Sequence, residues 1–129
     1  MTKEFHKNCF ACGAYSKGGL KLEFKLLKNN TLYGEFKISN NYQGYENLSH
    51  GGIISTILVS SMINLFYMKD SLKLKTAKLN ICFRRSIPTE KTFAVSAIAR
   101  NYAWHFYRAK SQIKIKDIVF AEAEGYFRE

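Results

Sequence analysis

One long helical pattern, in a chain that otherwise alternates, limits the fold most. It runs from about Gly51 to Met68, and at 100° per residue its apolar side chains divide between two faces. One broad face holds Ile53, Ile54, Ile57, Leu58, Ser61 and Leu65, and the opposite face holds Thr56, Val59, Ile63 and Tyr67. A helix that is apolar on both sides is buried on both sides, whereas a single sheet covers only one. The pattern therefore predicts a homodimer in which a second copy covers the second face.

Strand patterns surround this helix. Before it, residues 20–26 and 32–38 alternate between apolar and polar side chains and form a predicted hairpin that turns at Asn29 and Asn30. After it come four strand-like segments, at residues 77–84, 93–100, 104–115 and 118–127, and Pro88 is expected to end the first of them. The order ββαββββ predicts an α+β domain in which an antiparallel sheet covers one helix. Without repeats or linkers, we expect a single domain over residues 1–129.

The start of the helix carries the clearest chemical signal. His50, Gly51 and Gly52 stand where a turn runs into the helix, and glycines leave the backbone amides uncovered. Both amides are therefore expected to be open to a ligand, as in an oxyanion site. The next two turns, residues 53–59, contain no acid, base or strong nucleophile, so such a site lacks a partner group.

Composition limits the partners. The net charge of +10 predicts attraction to anions such as phosphates. We expect no nucleic-acid binding, because the aromatics between Tyr102 and Tyr107 alternate as core residues of a strand do and no nucleic-acid-binding motif is present. No apolar run is expected to approach the length of a membrane span, no leader segment is evident, and three cysteines fit a reducing compartment, so a cytoplasmic protein is expected.

Cys9 and Cys12 form a CxxC motif, which binds zinc when a second pair of ligands exists. Cys82 stands alone in a strand-like segment, and neither His6 nor His105 has a paired spacing. We therefore expect no metal, and we interpret the motif as a tight turn packed on the domain.

Several segments together resemble a known family. They are CFACG with GGLKLEF, YQGYENLSHGGIISTIL, LNICFRRSIPTEKTFAVSAIARN and VFAEAEGYF, and they resemble the hotdog-fold acyl-CoA thioesterases, especially those of the phenylacetate-pathway type. The resemblance covers nearly the whole chain. It implies a long helix wrapped by an antiparallel sheet, dimers or tetramers, a site at the dimer interface, and coenzyme A as part of the substrate with no other cofactor.

The resemblance also implies roles for individual residues. The amide that polarises the thioester carbonyl in such enzymes matches Gly51. The family's carboxylate, a nucleophile or general base, falls nine positions after the motif histidine, and here that position is Val59, which cannot move a proton. Glu46 is a possible substitute from the preceding loop. His50 either orders the loop or contacts the substrate, and Asn47 either donates to the thioester or forms a turn.

Arg84 and Arg85, with Lys73, Lys75 and Lys78 upstream, are candidates to bind the phosphates of coenzyme A. The alternative is a solvated basic edge strand that discourages aggregation. Two functions therefore remain open from the sequence. One is a thioesterase with a modest or displaced catalytic apparatus, and the other is a non-catalytic acyl-CoA binding protein.

Overall fold

The computed structural model describes residues 6–129, so the first five residues of the expected domain lie outside the described part. Its elements are β1 (Lys25–Leu26), β2 (Leu32–Lys37), a short 3-10 helix (Asn40–Tyr42), α1 (Gly51–Asp70), β3 (Lys75–Phe83), β4 (Thr92–Ala103), β5 (Phe106–Ile115) and β6 (Ile118–Arg128). The order of the strands and the long helix confirms ββαββββ.

All six strands belong to one antiparallel sheet with the order β1-β2-β4-β5-β6-β3. Helix α1 packs against the sheet, and the two share one hydrophobic core. Strand β3 pairs only with β6, so it forms an edge of the described sheet. The expected α+β architecture, with one helix covered by an antiparallel sheet, is confirmed.

The first predicted strand is mostly not a strand. Residues 20–26 alternate because Leu22 and Phe24 are buried, but only Lys25 and Leu26 pair with β2. The amides of Leu20 and Leu22 instead donate to the carbonyls of Phe10 and Ala11, at 2.8 and 2.9 Å. Alternation reports which side chains are buried, whereas strand pairing depends on what lies beside the backbone.

Two of the strand boundaries predicted from the sequence were also wrong. Strand β3 ends at Phe83, five residues before Pro88, which forms an isolated bridge with Leu48. Trp104 does not begin a strand, because it and His105 form the two-residue turn between β4 and β5 with φ of 55° and 68°. The expectation that the local aromatics are all core is wrong for Tyr102 and Trp104, which are 57% and 87% exposed at this hairpin.

Helix α1 is the core of the domain. Of the face expected to pack on the sheet, Ile53 is half-buried and the other five residues are buried. At 20 residues, α1 is the one described helix long and apolar enough to cross a membrane, which contradicts the expectation that no apolar run approaches that length. Half of its most apolar window is buried inside the fold, as expected for the core helix of a soluble domain.

Candidate functional site

His50 caps the N-terminus of α1. Its backbone is extended, with φ −62° and ψ 135°, and its Nδ1 accepts a hydrogen bond of 2.8 Å from the amide of Gly52. A side chain that accepts from the second residue of a helix is an N-cap, here provided by an imidazole instead of the usual hydroxyl or carboxylate. Since Nδ1 is an acceptor, the proton of the neutral ring lies on Nε2. Of the two roles considered for His50, this bond supports ordering of the helix start.

The cap separates the two glycine amides. Gly52 donates to His50, so the expectation that both amides are open to a ligand is wrong for Gly52. A side chain at Gly52 would place Cβ 3.0 Å from His50 Nδ1, so the absence of a side chain there lets the imidazole reach the amide. Gly52 therefore serves the cap by donating its amide to His50, and that amide is not available to a ligand.

The amide of Gly51 is different. Among residues 6–129, no protein acceptor bonds to it, and Gly51 is exposed at the first position of α1. The N-terminus of a helix carries a partial positive charge, which favours an anion or a developing oxyanion. The nearest side chain is the ring of Phe83, 3.8 Å from where a Cβ would stand, so the amide faces an open space beside the end of β3.

This space is a cleft of about 260 Å³. It is lined by Tyr45, Leu48, Ser49, Gly51, Ile54, Phe83, Arg84, Arg85, Ser86 and Ile87. The structure therefore brings together three of the predicted site residues, namely Gly51, Arg84 and Arg85. Ligand pockets are typically about 300–1,000 Å³. The cleft of one chain is small for an acyl-CoA and is open on one side.

Seven of the lining residues were not among the sequence-based candidates, and three of these, Tyr45, Ser49 and Phe83, present groups that a ligand could contact. Phe83 and Tyr45 are 52% and 85% exposed, so the cleft has an uncovered aromatic rim. Ser49 Oγ is buried and has no hydrogen-bond partner within the described chain, so it is available to a ligand group in the cleft. An exposed aromatic next to a glycine-rich turn could have suggested the rim. No sequence signal marks Ser49.

The two arginines differ in their surroundings. Their amides both donate to the carbonyl of Phe120, at 2.9 and 3.0 Å, which holds the backbone as it leaves β3. The Arg84 side chain is bonded to the carboxylate of Glu122, and this bond raises the pKa of Arg84 and lowers the pKa of Glu122. The guanidinium of Arg85 lies over the ring of Phe120, 6.0 Å from its centroid. Arg84 therefore has a carboxylate partner that a phosphate must compete with.

Asn47 and Glu46 lie in a tight turn before the cleft. The amide of Leu48 donates to the carbonyl of Tyr45 at 2.9 Å, and Asn47 has a left-handed backbone with φ 61°. The backbone amide of Asn47 is not available to a ligand, because it donates a hydrogen bond of 2.9 Å to Gln43 Oε1. This geometry supports the turn-forming interpretation of Asn47. Glu46 is exposed, and neither residue lines the cleft.

Val59 lies on the half-buried side of α1, as expected, together with Thr56, Ile63 and Tyr67. It follows Gly51 by eight residues, so the two positions are about 12 Å apart along the helix axis. One chain therefore cannot bring its own Val59 position to a thioester held at its own Gly51. A group at position 59 meets such a thioester only from a second copy.

The two serines that follow Val59 are buried. Ser61 donates to the carbonyl of Leu58 at 2.6 Å and contacts Ser111 Oγ at 2.9 Å inside the core. Ser60 is buried, and Asn64 donates to its carbonyl at 2.8 Å. Both hydroxyl groups therefore lie in the core and not in the cleft.

A separate cluster lies near the N-terminus. The sequence showed no paired spacing for His6, yet the fold places His6 Nδ1 3.8 Å from Cys12 Sγ of the CxxC motif. Local spacing could not reveal this contact, since a histidine three residues before the motif reaches it only through the shape of the turn.

Comparison of sequences finds no matching protein family and no match among functionally characterised proteins. Comparison of structures finds clear similarity. A thioesterase superfamily protein superposes with a TM-score of 0.82 at 18% identity over 92% of this chain, which spans 61% of that protein's length. A Ralstonia eutropha protein described as a putative thioesterase related to phenylacetic acid degradation gives 0.77 at 13% identity, over 97% of each chain.

A third structure contains coenzyme A. It is a protein from Bacillus halodurans with CoA, and it gives a TM-score of 0.74 at 17% identity over 89% of this chain and 78% of that one. At identities this low the similarity establishes the fold. The chain has the hotdog fold that these thioesterase and phenylacetic-acid-related structures share, so the resemblance seen in the sequence is confirmed for the fold.

Proposed function

We propose that this protein binds acyl-CoA thioesters in the cleft at Gly51 and hydrolyses them slowly, because Val59 stands in place of the family's carboxylate. The observation that carries this proposal is the unbonded amide of Gly51, which opens into a cleft that Arg84 and Arg85 also line. The amide and the helix N-terminus would polarise a thioester carbonyl, and the arginines would hold phosphates. The CoA complex of a protein with the same fold supports this choice of ligand.

The proposed site needs a second copy of the chain. The cleft is open beside the exposed ring of Phe83, and the side of α1 with Val59 and Ile63 is only half-buried within one chain. Because Val59 lies about 12 Å along the helix from Gly51, the group facing a bound thioester would come from the partner subunit. Strand β3 also offers an unpaired edge for such an association. A homodimer is thus part of the proposal, and a cytoplasmic location fits its free cysteines.

The slow rate follows from the missing base. An oxyanion site stabilises charge only after a nucleophile has attacked, and valine can neither attack nor activate water. A positioned general base contributes about a hundred- to ten-thousandfold in rate. Glu46 is the remaining candidate base, but it does not line the cleft. The geometry therefore favours binding with weak turnover over efficient hydrolysis.

The test is thiol release from short, long and aromatic acyl-CoAs by the wild type, Val59→Asp, Val59→Asn and Glu46→Ala. Val59→Asp should raise hydrolysis by up to about a hundredfold, while Val59→Asn, which has a similar shape and no base, should not. The carboxylate should cost about 1–3 kcal/mol of stability, because it enters a partly apolar surface. Brisk wild-type turnover that Glu46→Ala abolishes would place the base in the loop instead. Brisk turnover that no variant changes would overturn the proposal.

A further inference from the structure

The turn near the N-terminus brings together three side chains that the acyl-CoA proposal does not use. The ligand atoms of His6, Cys9 and Cys12 all lie within 4.8 Å of one another. Zinc binds histidine nitrogen at about 2.1 Å and cysteine sulfur at about 2.3 Å in tetrahedral geometry, which separates the two ligand atoms by about 3.6 Å. The separation of His6 Nδ1 from Cys12 Sγ, 3.8 Å, is close to that value. The side chains therefore need little movement to share one ion.

The backbone fixes this arrangement. The amide of Cys9 donates to the carbonyl of His6, and the amide of Gly13 donates to the carbonyl of Cys9, both at 2.8 Å. A Cβ on Gly13 would lie 2.4 Å from the nitrogen of Cys9 and 2.5 Å from the carbonyl oxygen of Lys7, so the turn admits only glycine. The CxxCG segment, residues 9–13, is thus a tight turn, called the knuckle below. It holds its two thiols and the preceding imidazole on one side.

The chemical environment suits a soft divalent cation. Partial desolvation at the turn, with a smaller contribution from Lys73, lowers the pKa of His6, although most of its side chain is exposed. Burial raises the pKa of Cys12 to about 11, so metal binding must displace a proton. The nearby polar side chains of Asn64 and Ser60 in α1 act in the opposite direction on the pKa of Cys12 and favour the thiolate, as the outer partners of metal-bound ligands do.

We propose that His6, Cys9 and Cys12 bind one zinc ion, with water at the fourth position. Two thiolates and an imidazole favour zinc over magnesium and calcium, which take oxygen ligands. This inference is independent of the acyl-CoA function.

A zinc ion here would also stiffen the loop before the cleft. The ring of Phe10, inside the knuckle, packs edge-on against Tyr42 with centroids 6.2 Å apart. The carbonyl of Tyr42 in turn accepts a hydrogen bond of 3.0 Å from the amide of His50, the cap of α1. The ion would thus stabilise the segment that bonds to the start of the helix. Removal of the ion should therefore lower the melting temperature.

The probe is Co²⁺, added to metal-free protein kept reduced with a phosphine that supplies no thiol. The wild type should bind about one cobalt ion per chain and show a thiolate-to-cobalt charge-transfer band, and zinc should displace the cobalt. Cys9→Ser should remove about half of that band. Loss of an outer partner costs about 10–100-fold in metal affinity, and His6→Ala, which removes a direct ligand, should cost at least as much.

The matched controls are Cys82→Ser and His105→Ala, because both residues lie outside the knuckle and are exposed. Both should bind cobalt as the wild type does. Cys12 is buried, so Cys12→Ser is informative only if it folds, and the decision rests on half-buried Cys9 and exposed His6. A wild type without the charge-transfer band, or a band that Cys82→Ser removes and Cys9→Ser retains, would overturn the proposal.

Discussion

The Nδ1 atom of His50 accepts a hydrogen bond of 2.8 Å from the amide of Gly52, whereas the amide of Gly51, one residue earlier, bonds to no acceptor in the described chain. His50 therefore gives the two glycines different roles. Gly52 donates its amide to the capping imidazole, and Gly51 presents its amide to the cleft.

The cap makes a prediction about stability. His50→Ala should lower the free energy of unfolding by about 0.5–2 kcal/mol, because the Gly52 amide loses its acceptor, while His50→Asn should retain most of it. Urea denaturation of both variants measures the difference. The control is His105→Asn in the exposed β4–β5 turn, which should unfold like the wild type. Equal stabilities for His50→Ala and His50→Asn would contradict the capping role.

The Gly51 amide can be removed without rebuilding the helix. Gly51 is the first residue of α1, where proline is well tolerated, and His50 already has the extended backbone that a following proline requires. In the Val59→Asp background, Gly51→Pro should therefore reduce kcat by about a hundred- to a thousandfold, the usual loss for one oxyanion donor.

Gly51→Ala is the matched control for that change. It retains the N–H, and its methyl group would meet Phe83 at an ordinary contact distance of 3.8 Å. Its kcat should stay well above that of Gly51→Pro, with circular dichroism confirming that both are folded. Equal activity for the two variants would show that the amide does not take part.

The two arginines should contribute unequally to binding of coenzyme A. Arg85→Ala should weaken binding by about 1–3 kcal/mol, the range for charged hydrogen bonds, and wild-type binding should weaken as salt rises. Arg84→Ala should cost less, since Arg84 is already bonded to Glu122. Calorimetric titration at two salt concentrations tests both. Affinity that depends on neither arginine would return this edge to its alternative, a solvated basic strand.

The dimer is tested on the half-buried side of α1. Ile63→Lys should weaken assembly, because an unpaired charge would be buried at the interface. Ile118→Lys makes the same exchange at a site that is 47% exposed and should leave assembly unchanged. Analytical ultracentrifugation across micromolar concentrations measures both. A monodisperse wild-type monomer would contradict the prediction.

The thiols should differ in reactivity. In chelator-treated protein, a disulfide reagent should label Cys82 first, since that thiol is exposed, and Cys12 last. Burial raises the pKa of Cys12 above its ordinary value of 9.0 to about 11, so almost none of it is thiolate at pH 8. Because burial disfavours the thiolate, the fold should be most stable with respect to this group below pH 9 and should lose stability as the pH rises from 9 through 11. Mass spectrometry of peptides over time gives the order, and Cys82→Ser should remove the fast phase. Labelling of Cys12 as fast as Cys82 would contradict it.

The sequence by itself determined the elements and their order. Period-2 alternation and one long apolar helix gave ββαββββ, and the resemblance pointed to the hotdog fold that the structure confirms. The sequence also placed Gly51 at the start of the helix and Arg84 and Arg85 at the end of a strand. These features are encoded locally, in which side chains must be buried and where the backbone must turn.

Only the tertiary structure decided which backbone segments and side chains lie close together. The extended segment before β1 pairs with Phe10 and Ala11 instead of with a strand, and the Gly51 amide shares a cleft with arginines more than 30 residues away. His6 joins Cys9 and Cys12 although its spacing matches no motif. Hydrophobic periodicity reports the burial of each residue separately, whereas a site depends on the distances between groups, and these arise only when the chain closes its core.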